Sequence, residues 1–173
     1  MGFRMGPLVA AMMEYERGAA QRINYFLKVY SFAKLIGEQE SLAAPVQETL
    51  EAAAIVHDIG IRPSLEKYQS SGGNFQEIEG PPVAREILTR LGFPDGMVER
   101  VCFLVGHHHT YRDIEGEDYR ILVEADFLVN LHEEKADKQT VLMARKNIFR
   151  TKAGTKALND LLRCLDKMET IRK

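Results

Sequence analysis

The chain has no tryptophan, only two cysteines, and no apolar run approaching the roughly 20 residues that a helix needs to cross a bilayer. Each scarcity excludes something. Without such a run no membrane span is expected. The opening Met1-Gly2-Phe3-Arg4-Met5-Gly6 lacks the apolar stretch of an export signal, and Gly6 breaks the myristoylation pattern. The expected location is the cytoplasm. Cys102 and Cys164 fall inside apolar helical patterns, so they read as reduced core thiols without chemistry of their own. Val and Ile runs of period two are also scarce, which argues against a sheet.

What is present is ordinary globular usage, with 173 residues, 45% apolar and 28% charged. The chain reads as one domain over 1–173. Folding at this size removes roughly 70% of the extended surface from water, enough for a core without a disulfide or a metal staple. Any metal is therefore expected to serve function. The formal charge of −2 hides an asymmetry: residues 133–173 hold 11 basic and 6 acidic side chains, and the residues before them hold 12 basic and 19 acidic. A net-acidic body argues against general nucleic-acid binding, which calls for a broad cationic footprint. Nothing in the pattern specifies an oligomer.

Apolar spacings of three and four, broken by turn signals, predict helices at about 7–20, 21–37, 43–59, 81–91, 96–109, 117–132, 138–149 and 154–171. The expected fold is an all-α, single-domain helical bundle with its functional core at about 21–132 and C-terminal helices at 138–171. Gly37, Gly60 and Gly92 sit where helices are expected to stop. Pro81-Pro82 suits a first helical turn, and Thr151 or Thr155 suits the cap of the last helix. Ser70-Ser71-Gly72-Gly73-Asn74 reads as a loop beside a site.

Three polar groups interrupt the apolar stripes. In the third helix Val46, Leu50 and Ala54 follow an i, i+4 rule that runs on into His57 and Asp58. In the sixth, Leu122, Asp126 and Val129 share a face, which puts a carboxylate inside an apolar stripe, while Glu124 falls on another side. The fifth closes on His107-His108-His109. Consecutive helical residues point about 100° apart, so at most two of the three face one pocket. Each run alone has a plain explanation, such as a solvated helix end or a carboxylate paired with a basic side chain. One divalent cation accounts for all three, because a bundle brings imidazole and carboxylate from separate helices to one point. The absence of thiolate leaves Mn, Fe, Co, Ni, Zn or Mg, as one ion or two.

As an ordered set, Ala54-Ile55-Val56-His57-Asp58-Ile59-Gly60, Glu79-Gly80-Pro81-Pro82-Val83-Ala84-Arg85-Glu86-Ile87-Leu88, Val105-Gly106-His107-His108-His109 and Glu124-Ala125-Asp126-Phe127-Leu128-Val129-Asn130 resemble the HD-domain metal-dependent phosphohydrolases over most of the chain. The resemblance implies a helical bundle of the HD-domain type. It also implies hydrolysis of a phosphate mono- or diester of a nucleotide or small phosphorylated metabolite by metal-activated water. It assigns His57, Asp58 and Asp126 as central metal ligands, with Asp58 able to bridge two ions. It matches His108 and His109 to the His pair of members that take a second metal, with His107 the lesser substitute. Where many members have a further histidine ligand, Glu79, or else Glu77, is expected to serve.

The main departure is Tyr25. The segment Arg22-Ile23-Asn24-Tyr25-Phe26-Leu27-Lys28-Val29-Tyr30-Ser31-Phe32-Ala33 fits the family's first segment, and Tyr25 stands where its first His ligand is expected. A phenol is a poor ligand unless ionised. The favoured reading sets the metal deeper, on Glu79 and the His pair; the other is a chain that has lost affinity and catalysis. The resemblance implies that Asp58, His108 and His109 are catalytic, the His pair either holding a second ion or acting as acid and phosphate donor. Arg22 and Tyr25 are expected to line the substrate site, with Arg62, Lys67 or Arg112 at its mouth. The basic stretch from Lys135 to Lys156 reads as a solvated face. Two other functions compete: a non-catalytic metal- or nucleotide-binding HD module, and a di-iron oxygenase on the same architecture.

Overall fold

The structure, a computed structural model, describes residues 5–162. Its elements are α1 (Gly6–Tyr15), α2 (Ala20–Gln39), α3 (Ala44–Val56), α4 (Ile61–Tyr68), α5 (Gly73–Arg90), α6 (Asp95–Val105), α7 (Glu117–Glu133), α8 (Lys138–Asn147) and α9 (Lys152–Leu161). No strand occurs among the described residues, so the fold is all-α as expected. None of these helices is long and apolar enough to cross a membrane.

Two helices form the centre. α3 buries every residue from Thr49 to Val56. Its Ala52-Ala53-Ala54 run lets neighbours close in from every side, and a helix apolar all round belongs in a core. α7 buries Ile121 through Asp126, then Leu128, Val129 and Leu131. α3 packs against α1, α2, α6 and α7, and α2 lies along α7. Lys28 of α2 pairs with Glu133 of α7 across that seam.

The α4–α5 region departs most from the expected helices. α4 has no counterpart among them: Ile61, Leu65 and Tyr68 do recur at helical spacing, but an eight-residue segment with Pro63 near its start is shorter than the helices expected elsewhere. α5 begins at Gly73 instead of near residue 81, so Gly73 and Asn74 are helical and Pro81-Pro82 lie in the helix interior. Prolines there lack the N–H groups that would meet the carbonyls of Glu77 and Ile78. Packing of α5 against α4 and α6 outweighs that loss.

The reason for Gly60 also differs from expectation. Its φ is an ordinary −75°. A Cβ at this position would stand 2.6 Å from Gln76 O and 2.9 Å from Gly80 N, so the close approach of α5 is what requires glycine. Gly37 lies inside α2 and stops nothing, whereas Gly92, at φ +79°, does follow the end of α5. Thr151 caps α9 by accepting from Gly154 N at 2.9 Å. Cys102 is buried and free. Cys164 and the expected helix beyond residue 162 lie outside the described residues.

Candidate metal centre

Helix ends and one helix middle supply the site. α3 stops at Val56, His57 is its C-cap residue, and Asp58 follows in the turn. Asp126 comes from the middle of α7. α6 stops at Val105, so the histidine triplet lies in the turn after the helix and not on its last turn. Two of the three still face one pocket, for a different reason from the helical one. His107 folds back on its own helix, with Nδ1 2.7 Å from Phe103 O and its ring stacked on Phe103 at 4.1 Å. Tyr119 of α7 holds this turn through its hydroxyl, whose single proton is shared between the carbonyls of His107 and Thr110.

His57 and His108 are fully buried and oriented alike. His57 Nδ1 lies 2.8 Å from Ala54 O, and His108 Nδ1 lies 2.8 Å from Val105 O. A carbonyl only accepts, so each Nδ1 carries a proton and each Nε2 is aimed at the pocket. The Nε2 atoms of His57, His108 and His109 are all buried without a hydrogen-bond partner. An orphaned buried polar atom costs about 1–3 kcal/mol, and three in one place call for a shared partner.

Asp58 stands between the imidazoles. Its Oδ2 is 3.3 Å from His57 Nε2 and its Oδ1 is 3.5 Å from His108 Nε2. Asp126 Oδ1 is 3.4 Å from His57 Nε2. These separations are long for a hydrogen bond. Each suits a pair of donors that share a cation: two donors each about 2.1 Å from an ion stand about 3.0–3.4 Å apart at octahedral to tetrahedral angles. One ligand atom from each of Asp58, His108 and His109 lies within 4.8 Å of the other two. Imidazole and carboxylate without thiolate suit a borderline divalent ion, so these residues fit a metal.

The electrostatics agree. Burial acts to depress the His57 pKa, but Asp58 and Asp126 outweigh it and raise it well above the usual value. A cation bound there would compete with a proton for Nε2. Burial acts to raise Asp58, yet His57 and His108 hold its carboxyl well below the usual range. His109 is lowered to about 4 by burial and by neighbouring His108, which leaves it neutral with a free lone pair. Burial and the Asp126 charge push the Tyr25 phenol far up, so it stays protonated.

A cleft of about 440 Å³ opens on this group, lined among others by Arg22, Tyr25, Gln76, Asn130 and Glu134 with Asp58, His109 and Asp126. Arg22 and Tyr25 thus reach the cleft, but both carry prior commitments. The Arg22 Nε donates to Glu16 Oε2 at 2.7 Å, and the Tyr25 hydroxyl donates to Asp126 Oδ1 at 2.5 Å. Glu79 is not brought into the group: Lys67 Nζ at 2.8 Å and Tyr68 OH at 2.7 Å hold its carboxylate toward α4. Two residues apart on a helix is about 200° of rotation, so Glu77 points the other way. It accepts from the His109 N–H at 3.0 Å and Thr110 Oγ1 at 3.0 Å, a supporting role behind the histidine turn. Arg62 is spent on Tyr15 O at 3.1 Å and on Glu66, and neither it nor Lys67 lines the cleft.

Sequence reasoning missed Glu16, Gln76 and the use of Glu124. Glu124 is fully buried and accepts from the N–H groups of Arg150 and Thr151 at 2.7 and 3.0 Å, tying α7 to the start of α9. Its position off the Asp126 face was legible; its partners, 26 and 27 residues away, were not.

A family model described as HD domain matches residues 22–168. Comparison with curated proteins and comparison with solved structures each find no match. The matched stretch covers most of the chain and contains His57, Asp58, His108, His109 and Asp126. An all-α bundle whose residues 22–168 match this model, 147 of its 173 positions, belongs to the HD domain family.

Proposed function

We propose that this protein is a metal-dependent phosphohydrolase that cleaves a phosphate mono- or diester of a nucleotide or small phosphorylated metabolite. The observation that carries the reading is the set of unpartnered Nε2 atoms of His57, His108 and His109 arranged about Asp58. His57, Asp58 and Asp126 would hold one cation and Asp58, His108 and His109 another, with the two Asp58 oxygens facing different histidines. A divalent ion bound there acidifies water and polarises a phosphoryl oxygen.

The chain's own residues do the rest. His108 and His57, with Nδ1 committed to backbone carbonyls, serve as ligands and not as proton donors to phosphate. Neutral His109 is suited to the same role. The described cleft lining holds the carboxylates of Asp58, Asp126 and Glu134 against the single guanidinium of Arg22. An anionic ester enters such a cleft only when cations offset those carboxylates. Arg22, anchored by Glu16, offers its remaining N–H groups to the ester at a fixed place. A cleft of about 440 Å³ accommodates a ligand of nucleotide size.

The test is elemental analysis of protein purified without chelator, followed by a panel of phosphate esters with Mn, Co, Ni and Mg. Bound metal with turnover supports the proposal. Metal without turnover of any ester points to a binding module, and dioxygen consumption by an iron-loaded sample points to an oxygenase.

A further inference from the structure

Tyr25 lines the cleft, yet its polar atom is turned to the protein. The hydroxyl donates to Asp126 Oδ1 at 2.5 Å, and that same oxygen is the one 3.4 Å from His57 Nε2. Asp126 is 2% exposed, on a helix where a carboxylate has two free torsions and several ways to point. A short hydrogen bond to a charged acceptor is among the stronger kinds and removes that freedom. Tyr25 is itself held in place. It sits on α2, one turn before Lys28, which pairs with Glu133 of α7, so the α2–α7 seam is also pinned one turn beyond the phenol. Its ring also stands 6.0 Å from the His57 ring, beside the imidazole whose aim matters.

We infer that Tyr25 is a positioning residue that acts through Asp126, setting the aim of Oδ1 toward the point shared with His57, and is neither a metal ligand nor a substrate contact. The inference rests on the reading of Asp126 as a ligand. A phenol has one proton to give. Given to Asp126, it is withheld from a phosphate oxygen, and while it bridges the two oxygens the phenol is not a free phenolate for a cation. Outer hydrogen-bond partners of metal ligands are worth about 10–100-fold in metal affinity.

The experiment strips the 173-residue chain with chelator and titrates it with Co(II), reading visible absorption and metal retained after gel filtration. Tyr25→Phe keeps the ring and removes the donor. Its Co(II) affinity is expected to fall about 10–100-fold. In an Asp126→Ala background, which removes the acceptor, the same change is expected to cause no further loss, a result that a general packing role would not give. Unchanged affinity in Tyr25→Phe overturns the inference, as does an equal loss in both backgrounds. So does a phenolate-to-iron charge-transfer band in Fe(III)-loaded protein that disappears in Tyr25→Phe, since it makes Tyr25 a ligand. A wild-type protein that retains no cation under any condition instead sinks the metal-dependent reading on which the inference stands.

Discussion

Glu77 on α5 accepts the backbone N–H of His109 at 3.0 Å, and so fastens the turn after α6 to the helix it faces. The same carboxylate takes the Thr110 hydroxyl at 3.0 Å. The orientation of His109 is thus set from outside its own helix, by a residue that does not line the cleft.

Glu77→Ala leaves the His109 N–H and the Thr110 hydroxyl without their acceptor, at a cost of about 1–3 kcal/mol in urea unfolding. Metal retention is expected to fall about 10–100-fold, as for other supports of metal ligands. Glu77→Gln keeps one acceptor oxygen and is expected to restore most of it. Retention equal to wild type in the alanine variant would show that His109 is placed by other contacts.

Asp58 is shared by His57 and His108, so Asp58→Ala is expected to drop metal content to background while far-UV circular dichroism keeps its helical signature. His107→Ala and Glu79→Ala serve as contrasts, since the first ring stacks on Phe103 and the second carboxylate is held by α4. Both are expected to retain wild-type metal content, and a loss in either would enlarge the ligand set.

Arg22 is paired with Glu16, whose side chain is 1% exposed, so Arg22→Ala has two effects. It removes a guanidinium from the cleft and strands a buried carboxylate. The KM for a phosphate ester is expected to rise severalfold and the melting temperature to fall. Adding Glu16→Gln is expected to recover stability without recovering KM. Recovery of both by the double variant would assign Arg22 a structural role alone.

The Tyr15 hydroxyl donates to Ile59 O at 3.1 Å, and burial together with the Glu16 charge pushes its pKa up to about 12. The folded state keeps a proton that the unfolded chain loses near pH 10, so this contribution is complete below pH 10 and vanishes as pH rises to about 12. The stability gap between wild type and Tyr15→Phe is expected near 1 kcal/mol at pH 9 and close to zero at about pH 12. Urea unfolding at a series of alkaline pH values measures it; a gap that widens with pH contradicts the assignment.

The helical class was legible in the sequence alone, and His57, Asp58, Asp126 and the pair His108 and His109 stood out there as candidates. Apolar periodicity assigns a side chain to a face of its own helix, and these polar residues broke that pattern. It was insufficient where a helix owes its extent to neighbours, as in α5, which runs through Pro81-Pro82 because α4 and α6 pack along it. Even the correct count of two inward histidines came from a turn, not from helical rotation.

Periodicity does not report what stands opposite a face. Tyr25 and Asp126 are 101 residues apart and share a hydrogen bond; Arg22 lines the cleft already paired with Glu16; Glu79 turns to Lys67 while Glu77 supports His109. The residue types suited to a cation were written in the chain, since a carboxylate in an apolar stripe demands a partner wherever it lies. Which partner each one took was decided only when α2, α5 and α7 closed around α3 and α6, because side-chain donors and acceptors pair by distance in space and not by position along the chain.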